Sequence, residues 1–324
     1  MPRILLVKTS SLGDVVHNFP VASDIARRVP GAVIDWVVEE PFEELVALHR
    51  SVRRVIPVAI RRWRGGLLSA ATWADIGRFR RALRNEPYDF VIDSQGLVKS
   101  ALVAAFARGR KHGFDRDSAR EPFAAHFYGT RHAVPVALHA VERNRRLAAE
   151  ALGYELDATC EYGLRVAADL PIEVPSPYAL LFTMTSREDK LWPEANWRML
   201  GSALQARGIQ CLLPWGTEEE KGRSERIAAA VRGAIVPRRM TLAELARLAG
   251  NAHFVVGVDT GLAHLAVALE VPVVGLYRGS DPALTGLYAG GAPGAGRVRN
   301  LGGPSATPSV DDALAALSAL GALQ

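Results

Sequence analysis

Three segments of this chain set hydroxyls, a glycine and a charged group between a β-branched run and an amphipathic one. The first is Lys8-Thr9-Ser10-Ser11-Leu12-Gly13-Asp14. With Gly13 as its one glycine it is neither G-x-G-x-x-G nor a Walker loop, which argues against a dinucleotide cofactor. It offers the Asp14 carboxylate at a helix start. Such a group can take a proton from a bound hydroxyl or simply cap the helix. The second segment is Thr183-Met184-Thr185-Ser186-Arg187-Glu188-Asp189-Lys190-Leu191-Trp192-Pro193, with proline at a favoured first helical position. Thr185 and Ser186 can donate hydrogen bonds to phosphate oxygens and Lys190 adds a point charge. The plainer alternative is a capped turn with a surface ion pair. The third is Gly257-Val258-Asp259-Thr260-Gly261-Leu262-Ala263-His264. Thr260 and Gly261 fall at a helix N-terminus, where free amides and the dipole favour an anion. Gly261 allows close approach of a diphosphate, and His264 follows one turn later. A capped helix with a core histidine is the competing reading.

Weaker signals lie between these. Glu218-Glu219-Glu220 follow Pro214-Trp215-Gly216, and one of them could bind ribose hydroxyls, or all three could complement a helix dipole. Asp115-Arg116-Asp117 resembles a metal-holding pair, but Arg110, Lys111 and Arg120 surround it and oppose a cation. No His/Cys cluster has metal-ligand spacing, so neither metal nor cofactor is expected. Residues 50–84 contain ten arginines and one acid, Asp75. That run attracts phosphate, whether on a substrate, an anionic membrane or a nucleic acid, or it is a solvated face.

The elements that position these groups read as α/β. Strands are expected at 4–8, 33–38, 55–58 and 90–93, then at 178–182, 211–214, 235–237, 254–257 and 273–276. Helices are expected at 15–28, 42–49, 73–84, 100–107 and 141–152, then at 194–207, 219–231, 242–249, 263–269 and 311–320. This alternation is that of parallel sheets. The 324 residues, 49% apolar, suit two domains. The proline-rich stretch Asp169-Leu170-Pro171-Ile172-Glu173-Val174-Pro175-Ser176-Pro177 marks a link, giving domains 1–170 and 171–324, with the last helix a candidate to pack back on the first. Residues 290–308 read as surface loop. Lys and Arg exceed Asp and Glu by 25 to 20 in residues 1–170 and balance at 14 each thereafter, so the net charge of +5 belongs to the first half. Two distant cysteines and no apolar run of signal-peptide or membrane-spanning length point to a cytoplasmic protein.

In order along the chain, Val7-Lys8-Thr9-Ser10-Ser11-Leu12-Gly13-Asp14, Asp35-Trp36-Val37-Val38-Glu39-Glu40, Val55-Ile56-Pro57-Val58-Ala59-Ile60-Arg61-Arg62-Trp63-Arg64, Asp93-Ser94-Gln95-Gly96-Leu97-Val98-Lys99-Ser100, Arg120-Glu121-Pro122, His139-Ala140-Val141-Glu142-Arg143, Asp189-Lys190-Leu191-Trp192-Pro193, Pro214-Trp215-Gly216 and the 258–264 segment together resemble the lipopolysaccharide heptosyltransferase family. The resemblance spans nearly the whole chain. It implies an α/β fold of GT-B type, two Rossmann-like domains facing across a cleft. It also implies inverting, metal-independent transfer of L-glycero-D-manno-heptose from ADP-heptose to the Kdo of Kdo-lipid A, on the cytoplasmic face of the inner membrane. Asp14 matches the family's general base. Thr185, Ser186, Lys190, Glu220, Met240, Asp259, Thr260, Gly261 and His264 match donor-binding positions. Ser11, Gly13, Arg61, Arg62, Arg64 and Arg120 fall where acceptor contacts are expected, and the arginines are also candidates to meet anionic lipid. The segment Tyr277-Arg278-Gly279-Ser280-Asp281-Pro282 departs from the pattern, with Arg-Gly-Ser where Gly-Pro-Thr is common. The competing functions are a sister enzyme adding a second heptose, a nucleotide-sugar epimerase, and a basic nucleic-acid-binding protein. The last is disfavoured because aromatic residues do not interleave the arginines as stacking platforms require.

Overall fold

Strands that are apolar on both faces need helices on both faces, and the chain meets that demand twice. The computed structural model describes residues 1–185, 187–290 and 295–323. It divides into two compact units, Met1–Leu164 and Arg165–Gln324.

The first unit runs β1 (Arg3–Val7), α1 (Leu12–Val16), α2 (Phe19–Arg28), β2 (Val33–Glu39), α3 (Glu43–Ala47), β3 (Val52–Val58), α4 (Ile60–Arg64), α5 (Ala70–Arg84), β4 (Phe90–Asp93), α6 (Val98–Phe106), β5 (Arg110–Phe114), β6 (Thr130–His132) and α7 (Ala140–Leu152). Its strands lie in the order β3-β2-β1-β4-β5-β6 with every pairing parallel. This is a doubly wound sheet, and ligands of such sheets bind beyond the strand C-termini near the central reversal. Ile4 to Val7 in β1 are fully buried, as the middle strand of a covered sheet requires.

The second unit runs β7 (Tyr178–Phe182), α8 (Glu194–Gln205), β8 (Gln210–Leu212), α9 (Glu218–Ala228), α10 (Leu242–Gly250), β9 (Phe254–Val258), α11 (Gly261–Ala268), β10 (Val273–Arg278), α12 (Pro282–Thr285), β11 (Val298–Gly303) and α13 (Val310–Ala319). Its sheet is again wholly parallel, in the order β11-β10-β9-β7-β8. The strand expected at 235–237 is reduced to a parallel bridge between Leu212 and Ile235, because Pro237 has no N–H to extend the ladder. If that bridge is counted as an edge strand, the second unit repeats the strand order of the first.

Several boundaries differ from expectation. The single helix expected at 15–28 is two, α1 and α2, since Pro20 in the first turn of α2 cannot donate to a preceding turn. Strands β5, β6 and β11 had not been expected. β5 and β6 open on charged or polar residues, and β11 lies in the Gly/Pro-rich stretch read as loop. The two units part between Leu164 and Arg165 rather than at 170. Residues 165–170 side with α10: Arg247 Nη1 lies 2.7 Å from Asp169 Oδ2, and Asn251 Nδ2 donates to the Ala167 carbonyl at 3.4 Å. The last helix, α13, packs in the core of the second unit. Its Ala313, Ala316 and Leu317 share one core with Trp192, Trp197 and Leu200, so it closes its own unit.

Candidate active site

In the first unit the chemistry collects where β1, β2, β3 and β4 end. The β1–α1 loop is held from β4: Gln95 Oε1 accepts from the Thr9 amide at 2.7 Å and the Thr9 hydroxyl at 2.8 Å, while Gln95 Nε2 donates to the Ser10 carbonyl at 3.0 Å. Lys8 is buried beneath it, its Nζ donating to the Ser94 carbonyl at 2.8 Å and Asn144 Oδ1 at 3.3 Å. Burial lowers the pKa of Lys8, partly offset by the charges of Asp14 and Asp93. Ser11 is the N-cap of α1 and Asp14 its third residue. Asp14 Oδ2 accepts from the Ser11 amide at 2.9 Å and the Ser11 hydroxyl at 3.1 Å. Both sequence readings of Asp14 therefore remain compatible, since the cap uses one carboxylate oxygen.

Three groups that sequence reasoning gave no role stand close to this loop. Lys99 donates to Ser10 Oγ at 2.9 Å. Its pKa is lowered by burial and tuned by Glu39, Arg61, Asp14 and Arg64. Glu39 is buried at the end of β2 with Oε1 unpaired; burial raises its pKa against the Arg61 backbone amide and Lys99. Gln95 is the third, through the contacts above. Of the expected acceptor residues, Arg61, Arg62 and Arg64 are exposed on the short α4. Arg62 is already engaged, 2.8 Å from Glu40 Oε1 and 2.7 Å from Asp75 Oδ2. Arg120 is exposed after β5, its backbone amide against Gly96. Asp115 spends Oδ1 on the Ser118 amide at 2.8 Å, and among the described residues no three or more Asp, Glu, His or Cys side chains gather as a metal-binding group.

In the second unit Asp259, just past β9, is the hub. Its Oδ2 lies 2.6 Å from Lys190 Nζ and accepts from Ser280 Oγ at 2.9 Å. Its carbonyl accepts from Thr185 Oγ1 at 2.7 Å, and His264 Nε2 stands 4.0 Å from Oδ1. Thr260 is the N-cap of α11 and makes no side-chain cap bond. Gly261 and Leu262 amides, first in that helix, have no intrahelical acceptor. Ser280, in the departing segment, is a site member that the sequence treated only as a deviation; its place directly after β10 was the available signal. Glu220 separates from its neighbours: Oε2 accepts from the Gly216 amide at 2.6 Å and the Thr217 amide at 3.2 Å, whereas Glu218 and Glu219 are exposed. Met240 is buried immediately before the cap of α10. Ser186 lies outside the described residues.

Two parallel α/β units, each with its polar groups gathered past the strand C-termini, define a glycosyltransferase fold of GT-B type. The description Glycosyltransferase family 9 (heptosyltransferase) matches residues 76–300. Lipopolysaccharide heptosyltransferase 1 of Escherichia coli (strain K12) is 47% identical over 264 residues, 80% of this chain and 82% of the relative. The solved structure of E. coli heptosyltransferase WaaC with ADP aligns at a TM-score of 0.90 and 41% identity, covering 98% of this chain and 99% of that one. WaaC with ADP-2-deoxy-2-fluoro heptose aligns at 0.84 and 40% identity, over 98% and 99%. The chain belongs to glycosyltransferase family 9, the heptosyltransferases.

Proposed function

We propose that this enzyme transfers L-glycero-D-manno-heptose from ADP-L-glycero-D-manno-heptose to the Kdo of Kdo-lipid A in lipopolysaccharide inner-core synthesis, with inversion and without a metal. The observation that carries the reading is the Asp259 hub beside the start of α11. A lysine, two hydroxyls and the amides at the helix start gather there, a set of donors for a diphosphate. That WaaC has been solved with ADP and with a fluorinated ADP-heptose supports the donor. On binding, the diphosphate takes Lys190 from Asp259, and Lys190 and the α11 amides stabilise the charge that develops on the leaving ADP. Glu220 binds the ribose and Met240 packs on adenine, with Thr185, Ser186, Thr260, Gly261 and His264 completing the donor contacts.

Asp14 removes the proton from the attacking Kdo hydroxyl as that oxygen bonds to the anomeric carbon and the bond to the ADP oxygen breaks. Ser11, Gly13, Arg61, Arg62, Arg64 and Arg120 orient the acceptor's carboxylate and phosphate groups. Because Arg62 is paired with two carboxylates, Arg61 and Arg64 are the readier contacts. The enzyme works in the cytoplasm, peripherally on the inner membrane.

A turnover matrix of nucleotide-sugar donors against Kdo-lipid A and its heptosylated form, with products weighed by mass spectrometry, tests this. Heptose should appear on Kdo-lipid A alone. Turnover restricted to the heptosylated acceptor would instead assign the second heptose, and product formed from donor without acceptor would assign an epimerase. EDTA should leave the rate unchanged; restoration by Mg²⁺ alone would give Asp115 and Asp117 a role.

A further inference from the structure

The turn between α4 and α5 presents apolar groups that the first unit leaves uncovered. Leu68 is 104% exposed, Leu67 53% and Trp73 60%. The turn is hydrogen-bonded throughout: Gly65 and Gly66 amides donate to the Arg62 and Trp63 carbonyls at 3.2 and 3.0 Å, and the Ser69 amide to the Gly66 carbonyl at 2.9 Å. Trp73 Nε1 donates to the Leu67 carbonyl at 2.9 Å, which ties the indole and the leucines into one knob. Phe79 and Leu83 anchor α5 in the core alongside Trp63. At about 100° per residue, the face of α5 turned away from that core carries Trp73, Arg81 and Arg84, and both arginines are exposed; Arg80 lies to the side, its guanidinium 5.0 Å over the Phe106 ring. Asp75, the one acid in residues 50–84, is taken up by Arg62 and Arg78 at 2.7 and 2.9 Å. Among the described residues Arg81 and Arg84 form no ion pair. Single exposed leucines are ordinary; two leucines and an indole at the start of a helix whose same face carries two unpaired guanidinium groups about two and three turns on form a patch of the kind that marks a partner surface.

We infer that this knob docks the enzyme on an anionic lipid bilayer, with Leu67, Leu68 and Trp73 entering the boundary between headgroups and acyl chains while Arg81 and Arg84 meet lipid phosphates. Indole and guanidinium side chains suit that depth, each with an apolar body and a polar tip. Charge complementarity selects the bilayer. A second copy paired through the same face would set these cations against themselves, and a nucleic acid would satisfy the arginines but leave the leucines in water. The inference extends the proposed function, whose acceptor is itself a membrane lipid.

Co-sedimentation of the full chain with vesicles tests it directly. Wild-type protein should partition onto phosphatidylcholine–phosphatidylglycerol vesicles, weakly onto pure phosphatidylcholine, and less as salt rises. Leu67→Ser with Leu68→Ser should weaken partitioning on the order of tenfold. Arg81→Ala and Arg84→Ala should each weaken it about fivefold and flatten the salt dependence. Melting curves of all variants should match wild type, because these side chains are exposed. Unchanged partitioning in the leucine variant, equal binding to neutral vesicles, or a wild-type dimer that the leucine variant abolishes would overturn the inference. So would oligonucleotide binding indifferent to the leucines. Vesicle binding is read without donor, so failure of heptose transfer with docking intact would count against the proposed reaction only. Transfer to a water-soluble, deacylated acceptor should be unaffected in the variants.

Discussion

Asp14, the proposed base, can also cap α1 because a carboxylate has two oxygens. Oδ2 holds the Ser11 amide and hydroxyl, which fixes the side chain's rotamer and leaves the other oxygen for a substrate proton. Asp14→Asn preserves a capping oxygen and removes the base. Turnover should then fall by about 10²–10⁴ while ADP affinity by calorimetry stays near wild type; retained turnover removes Asp14 from the base role. At the proposed donor hub the weights differ by charge. Lys190→Met should weaken ADP binding by roughly ten- to a hundredfold, since hydrogen bonds to charged groups contribute about 1.5–3 kcal/mol. Ser280→Ala, which touches Asp259 and carries no charge, should cost about 1 kcal/mol or less in the same titration. An equal loss in both variants would mean that Asp259, rather than Lys190, governs the donor.

At the scale of elements, the loops past the strand ends are shaped by backbone that only glycine adopts easily. Gly96, following β4, has φ +66°, and a Cβ there would lie 3.1 Å from Phe114 Cδ2 and 3.3 Å from the Arg120 amide. Gly96→Ala should destabilise the protein by about 1–3 kcal/mol in chemical denaturation and, through Arg120, raise the acceptor KM more than the donor KM. Helix starts are secured by side chains. Thr241 accepts from the Glu244 amide at 3.2 Å, and Glu244 Oε2 accepts from the Thr241 amide at 2.9 Å, a reciprocal cap on α10. Arg238 and this cap hold the Glu244 pKa down at about 2. Thr241→Ala should cost about 1 kcal/mol, visible as a lower denaturation midpoint with an unchanged slope. The Thr-x-x-Glu spacing behind it is legible in the sequence at both Thr217 and Thr241, whereas β11 is not: Val298-Arg299-Asn300-Leu301-Gly302-Gly303 becomes a strand only because β10 offers it a parallel edge.

For the whole molecule, pH dependence passes through a buried histidine. His49 packs against Phe19 with ring centroids 5.7 Å apart, and its Nδ1 accepts from the Ser51 amide at 3.1 Å. Burial, then the charge of Arg50, lowers its pKa from 6.5 to about 4. The folded chain keeps this ring neutral while the unfolded chain protonates it below about pH 6.5. Stability from this group is therefore complete above that pH and is lost as pH falls towards about 4. The full effect is on the order of 3 kcal/mol for a shift of this size. Thermal unfolding followed from neutral pH to about pH 4 should show that decline, and His49→Gln should flatten it; an unchanged slope in the variant would place the transition elsewhere. Charge also acts at this scale. The excess of Lys and Arg is confined to residues 1–170, so electrostatic attraction to anions acts on the first unit far more than on the second.

The sequence by itself determined the fold class and the loops that matter. A parallel strand covered on both faces must be a nearly continuous apolar run, and its ligand loop must follow directly, so residues 8–14, 183–193 and 257–264 could be found by position alone. What only the tertiary structure decided is which side chains meet. Ser280 joins Lys190 on Asp259, and Lys99 and Glu39 stand by the β1–α1 loop. The expected helix 15–28 divides ahead of Pro20, between Val16 and Phe19, and the units part ahead of residue 170 because Asp169 pairs with Arg247. The contacts of Ser280, Lys99 and Asp169 depend on distances between residues far apart in the chain. Periodicity and local spacing carry no information about such pairs, and only the packing of the sheets and helices sets them.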